Sequence, residues 1–134
     1  MMDSLAAGLP VLILHFAVTV TILAVGVAIY IWMTPYRELE LIRGGNIAAA
    51  IAMSGAILSM AIPLAFSLSV SVSVLDILAW GGVTLAILLL VYKIIDLLLK
   101  DLAARIEAGE ISAAILLAAV KLSVAAITAA AVSG

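Results

Sequence analysis

The stretch Ile42-Arg43-Gly44-Gly45-Asn46-Ile47-Ala48-Ala49-Ala50 returns 64 residues later as Ile106-Glu107-Ala108-Gly109-Glu110-Ile111-Ser112-Ala113-Ala114. Each copy places glycine where a helix needs a left-handed residue to stop, then a polar residue, then a long apolar run. Each copy also follows another long apolar run. The reading is two helical hairpins in tandem. Gly44, Gly45 and Asn46 form the break in the first, Gly109 and Glu110 the break in the second.

Working outward, four apolar stretches are each long enough to span a bilayer core of ~30 Å, which takes about 20 helical residues. They run over about Leu9 to Met33, Asn46 to Val70, Leu75 to Leu99 and Ile111 to Val132. Within lipid the backbone must satisfy its own hydrogen bonds, so each span is expected to be a helix despite its Val and Ile content. The expected fold is an all-α integral membrane domain over residues 1–134, with repeat 1 over about 9–70 and repeat 2 over about 75–134. Because each half holds an even number of spans, the halves share one orientation. That differs from the inverted repeats of many ion-coupled carriers.

Composition agrees. Of the 134 residues, 68% are hydrophobic and 10% charged, against roughly 25% charged in soluble domains. So small and apolar a chain cannot hide its surface in one water-soluble core. The formal net charge of -2 does not suggest nucleic acid. With no cysteine, disulfides and thiol chemistry are excluded. The first basic residue is Arg37, too late for the basic n-region of a secretory signal, so the first span reads as retained.

Arg37, Arg43, Lys93, Lys100 and Arg105 all gather at the two long connections, and the opposite loop and both termini carry no basic residue. The positive-inside rule then places those connections in the cytoplasm and both termini outside. In the first connection Thr34-Pro35 reads as an N-cap with proline at the first helical position, opening about two turns through Arg43 in which Leu39 and Ile42 or Arg43 share a face. Asp101 to Glu107 fill the same slot in the second copy. Glu110 also suits the positive end of the following helix.

Polar residues inside the spans are few. Lys121 stands near the middle of the fourth, where an ammonium costs roughly 2.5–3.5 kcal/mol on insertion scales. It snorkels, pairs or functions. If the third and fourth spans fold about Ala108-Gly109, residues whose numbers sum to 217 share a height, which selects Asp96 as its partner. A bend near Lys100-Asp101 would move Asp96 toward the surface. His15 is most simply a packing residue, since no second ligand makes a metal set with it. Asp76 most simply caps the third span. His15 and Asp76 form a conceivable outer polar pair. Pro63 should kink the second span. The alternating Ser67, Ser69, Ser71 and Ser73 read as fraying helix and loop. Tyr30, Trp32, Tyr36 and Tyr92 read as an aromatic belt at one interface, with Trp80 at the other.

Small residues recur at helical spacing: Ala48, Ala52 and Ala56; Gly55 and Ser59; Ala114 and Ala118; Ala126 and Ala130. Membrane helices approach closely through such faces. Contacts inside the chain account for part of them, and the rest leave a surface for a homo-oligomer. The repeated break could hold an anion at a helix N-terminus; a helix stop followed by tight packing is the plainer reading.

The Thr34-Pro35-Tyr36 step, the Glu38-Leu39 pair and the two glycine breaks together resemble the YjfL-like family of small bacterial inner-membrane proteins, over essentially the whole chain. The family is named as a domain of unknown function. The resemblance implies a bacterial inner-membrane location and an association with envelope-stress genes, including phage-shock-like proteins. It carries over no catalytic residue and no cofactor.

No nucleophile elbow, phosphate loop, dinucleotide fingerprint or metal-helix motif is present. Two functional readings follow. The first is a non-enzymatic, oligomeric inner-membrane scaffold or envelope-stress component with a cytoplasmic partner, no cofactor and no nucleic acid. The alternative is a small channel or transporter subunit using Lys121, Asp96 and His15.

Overall fold

The computed structural model describes residues 1–34 and 37–133. Six helices follow in order: α1 (Met2–Met33), α2 (Glu38–Arg43), α3 (Ile47–Val70), α4 (Val74–Leu98), α5 (Lys100–Glu107) and α6 (Ile111–Ser133). No strand occurs among the described residues. The four long helices are each apolar and long enough to cross a membrane. The two short ones lie at the end of the bundle where the Lys and Arg residues gather, hereafter the basic end.

The two breaks have matching geometry. Gly45 and Gly109 take φ of +91° and +89°. In the first, the amides of Gly45 and Asn46 donate to the carbonyls of Ile42 and Leu41; in the second, those of Gly109 and Glu110 donate to Ile106 and Arg105. This is the paired bonding of a Schellman stop, which needs a left-handed residue and therefore favours glycine. Gly44 keeps a negative φ of -80°, so of the Gly44-Gly45 pair only the second requires glycine on backbone grounds. Asn46 then caps α3, accepting from the Ala49 amide at 3.0 Å. Its side-chain amide also donates to the carbonyls of Ile106 and Glu107 at 3.0 and 3.2 Å, tying the first turn to the C-terminal end of α5.

Other expectations move. Thr34 ends α1 rather than opening a helix: its amide and hydroxyl both donate to the Tyr30 carbonyl. Pro35 and Tyr36 lie outside the described residues. Helix α2 starts at Glu38, which is buried, whereas Leu39 is exposed. α1 begins seven residues before Leu9, at Met2. α3 ends at Val70, the expected end of the second span, and contains Pro63; of the alternating serines, Ser67 and Ser69 are helical and Ser71 and Ser73 lie in the connection. Ser73, not Asp76, is the N-cap of α4: its hydroxyl accepts from the Asp76 amide at 3.2 Å, while Asp76 Oδ2 accepts from the Val72 amide at 3.3 Å. A short acceptor at the N-cap and an acid three residues on satisfy two otherwise orphaned donors between them.

The bundle centres on α3 and α6. Ala48, Ala52, Gly55, Ala56 and Ser59 of α3 and Ala114 and Ala118 of α6 are all buried. A β-carbon added at Gly55 would come within 2.6 Å of Ala118 Cβ and 3.0 Å of its Cα, so the two backbones nearly touch there. Packing at this distance gains dispersion that lipid cannot match, which is how small residues drive association in membranes. This faces the Ala52–Gly55 stripe inward, within one chain; Ala126 and Ala130 remain outside.

Candidate functional site: the buried Lys121 centre

A helical side chain leans toward the N-terminus of its own helix. Lys121, at mid-length of α6, therefore reaches back toward the basic end. Asp96 and Tyr30, near the C-terminal ends of α4 and α1, lean away from it, toward mid-membrane. The three meet. Lys121 Nζ lies 3.2 Å from Asp96 Oδ1 and donates to the Tyr30 hydroxyl at 2.5 Å. The partner is the one the hairpin count selects. α4 does break at Leu99, but Asp96 lies within the intact helix, and the opposed leans close the remaining gap.

The surroundings are closed. Lys121 is 0% exposed, the side chain of Asp96 13%. The rings of Tyr30 and Tyr92 meet edge to face at 6.4 Å between centroids, and the ammonium stands 4.5 Å and 5.4 Å from the two. Its shorter contact is with the Tyr30 hydroxyl, so hydrogen bonding outweighs cation–π attraction. The Tyr92 hydroxyl donates to the Lys121 carbonyl at 3.5 Å, and the buried hydroxyl of Ser59 of α3, which donates to the Ala56 carbonyl, lies close by. A second carboxylate, fully buried Glu38 of α2, acts on Lys121 through its charge. Residues from α1, α2, α3, α4 and α6 thus contribute to one polar centre. Toward the opposite end it is closed by apolar Met60, Leu85 and Leu88.

Tyr30 and Tyr92 are corrected by this arrangement. Neither belongs to an interfacial belt; both are buried, while Trp32 is 86% exposed. A buried tyrosine hydroxyl requires a hydrogen-bond partner, and here the Lys121 ammonium serves Tyr30 and the Lys121 carbonyl serves Tyr92. Sequence reasoning also passed over Glu38. A signal was available in the offset of 64. Lys121 corresponds to Ile57, Glu38 to Leu102, Tyr30 to Ile94, Tyr92 to Ala28 and Asp96 to Trp32. In each of these pairs of positions one residue can ionise or offer a hydroxyl and the other cannot.

The other candidates stand apart. His15 is half-buried, fifteen residues before Tyr30 on α1 and so about 22 Å away along the helix. Among the described residues no ion pair joins it to Asp76. Asp76 lies at the opposite end of α4 from Asp96. At the second break Arg105 Nε donates to Glu110 Oε2 at 2.6 Å, and a second guanidinium nitrogen reaches Oε1. This fork holds the Glu110 carboxyl below its ordinary value and raises the guanidinium above its own, first through the hydrogen bond and then through charge.

The family profile described as Domain of Unknown Function (DUF350) matches residues 4–132. The chain is 37% identical over 92 residues to the UPF0719 inner membrane protein YjfL of Escherichia coli (strain K12), covering 69% of this chain and 70% of that protein. It is 32% identical over 84 residues to the UPF0719 transmembrane protein YshE of Bacillus subtilis (strain 168), covering 63% of each. No solved structure matches.

Proposed function

The chain belongs to the DUF350 family, and from that premise we propose that it is a non-enzymatic, multi-pass inner-membrane scaffold that works as a homo-oligomer. One observation carries the reading. α1 is 32 residues of apolar helix, yet Gly26 and Tyr30 are its only buried residues. Leu5, Leu9, Leu12 and Phe16 all point outward. At 1.5 Å per residue α1 is about 48 Å long, against a hydrocarbon core of ~30 Å. Lipid covers the part of α1 inside the hydrocarbon, but its first turns, with Leu5 and Leu9, overrun that core. A second copy is the occupant that supplies matching helices there, and a twofold dimer is the simplest closed form. The duplication by tandem hairpins, and an envelope-stress setting with a cytoplasmic partner, belong to the same proposal. The Lys121 centre serves it by locking five helices in register.

The test is crosslinking. The chain has no cysteine, so single cysteines at Leu12, Phe16 or Ala126 can be oxidised in native membranes. A dimer band from Leu12 or Phe16 is expected. A detergent-corrected mass of one chain in several mild detergents, with no crosslink from any site, would overturn the proposal. The same approach checks orientation. Cysteines at Arg43 and Arg105 are expected to resist impermeant reagent from outside intact spheroplasts, and those at Ser4 and Ser71 to react. Labelling of position 43 or 105 from outside reverses the topology.

The channel reading draws on the same Lys121 centre. The apolar closure by Met60, Leu85 and Leu88 and the distance to His15 favour the scaffold.

A further inference from the structure

At the end of the bundle away from the basic residues, α4 and α6 separate and leave a cleft of about 530 Å³, closed above by Val70 and Ser71. Its size lies within the range of small-molecule sites. Thr84 is buried and lies on its floor; Trp80, Ile87 and Ile127 are exposed along its rim, so it opens sideways onto the surface that faces lipid. Asp76 stands at its mouth. From Asp76 to Ile87 is eleven residues of α4, about 16 Å of helix, close to half of a ~30 Å hydrocarbon core. The cleft therefore has the length of one leaflet, polar at the membrane surface and apolar inward.

Charge selects the occupant's head. The side chains at this end include the acids Asp3 and Asp76 and no Lys or Arg. One oxygen of Asp76 takes the Val72 amide; its other oxygen has no hydrogen bond among the described residues. Thr128 donates its hydroxyl proton to the Val124 carbonyl, which leaves that oxygen as an acceptor. Acceptors beside an exposed indole suit an ammonium, by charge and by cation–π attraction. A headgroup with phosphate alone would meet the Asp76 carboxylate and no basic side chain.

We propose that this cleft is a binding site for a phospholipid with a primary-ammonium headgroup, its ammonium at Asp76 and Trp80 and an acyl chain along Ile87 and Ile127. The site does not depend on the oligomer proposed above.

The chain has two tryptophans, so Trp32→Phe leaves Trp80 as the sole indole reporter. The variant is placed in bilayers of equal phosphatidylethanolamine and phosphatidylglycerol. Brominated acyl chains, which quench indole, are carried on one headgroup or the other. Membrane composition is then constant and only the label moves. Quenching should favour labelled phosphatidylethanolamine, with a relative affinity of about fivefold, as expected of a cation–π contact plus an exposed ion pair. Asp76→Asn, which keeps an acceptor for the Val72 amide, should abolish the preference. Equal quenching from both headgroups, a preference for phosphatidylglycerol, or a preference that survives Asp76→Asn would overturn the proposal.

Discussion

α1 and α3 make the instructive comparison. α1 is the more apolar, yet 6% of its most hydrophobic window is buried, against 56% for α3. In water the order would be reversed. In lipid an apolar side chain gains nothing by leaving the solvent, so association falls to close backbone approach and to hydrogen bonds. α3 has small residues along one whole face. α1 has them at one point of contact, Gly26, where a β-carbon would strike the Leu85 side chain at 2.5 Å. Its other anchor is a hydroxyl bonded to an ammonium.

The largest test of that account removes the bonded charge. Lys121→Met should cost about 3 kcal/mol or more, because Asp96 then stays enclosed without its cation. Asp96→Asn should also destabilise. The double variant should lose less than the sum of the two, as expected for residues in contact. Reversible unfolding in mixed micelles measures all three. Strict additivity would mean that the pair contributes no coupling.

Next comes a contrast between the glycines. Gly55→Leu should cost about 2 kcal/mol, since the obstacle is the Ala118 backbone itself. Gly26→Ala should cost about 1 kcal/mol, because the obstacle is the end of a flexible leucine. The two should also differ in kind: Gly55→Leu disturbs the whole bundle, Gly26→Ala loosens α1 alone. Hydrogen exchange by helix separates these outcomes. Equal losses of protection in both variants would remove the distinction between a central pair and an appended helix.

The smallest effect lies at the second break, in water. The Glu110 carboxyl is held below 4.5, its ordinary value, by Arg105. A lowered carboxyl contributes stability that is complete above the ordinary value and is lost as pH falls through the lowered one. Protection factors at Gly109 to Ser112, taken relative to the intrinsic exchange rate at each pH, should therefore fall as the pH drops below the ordinary carboxylate range. Glu110→Gln should remove that pH dependence. The first turn, closed by neutral Asn46, should show none.

The spans and both glycine stops were legible because each rests on a local rule: a run of apolar residues, or a backbone conformation that favours glycine. Asp96 was legible because a hairpin relates heights by simple counting. The serine cap of α4 was missed because Ser73 and Asp76, three residues apart, can both accept from a backbone amide at the start of the helix and only backbone geometry separates them. Thr34 was misread because a residue between two helices serves the one whose last carbonyl is nearer.

What the sequence determined by itself was the solvent, the number of long helices and the positions of the two stops, since hydrophobicity, length and chirality act along the chain. The tertiary structure decided which faces meet. It placed Tyr30, Tyr92 and Glu38 around Lys121, buried the Ala52–Gly55 stripe against α6 and left α1 largely unpacked. Those outcomes depend on how helices approach one another in lipid, where hydropathy is the same on every side and sets no preference.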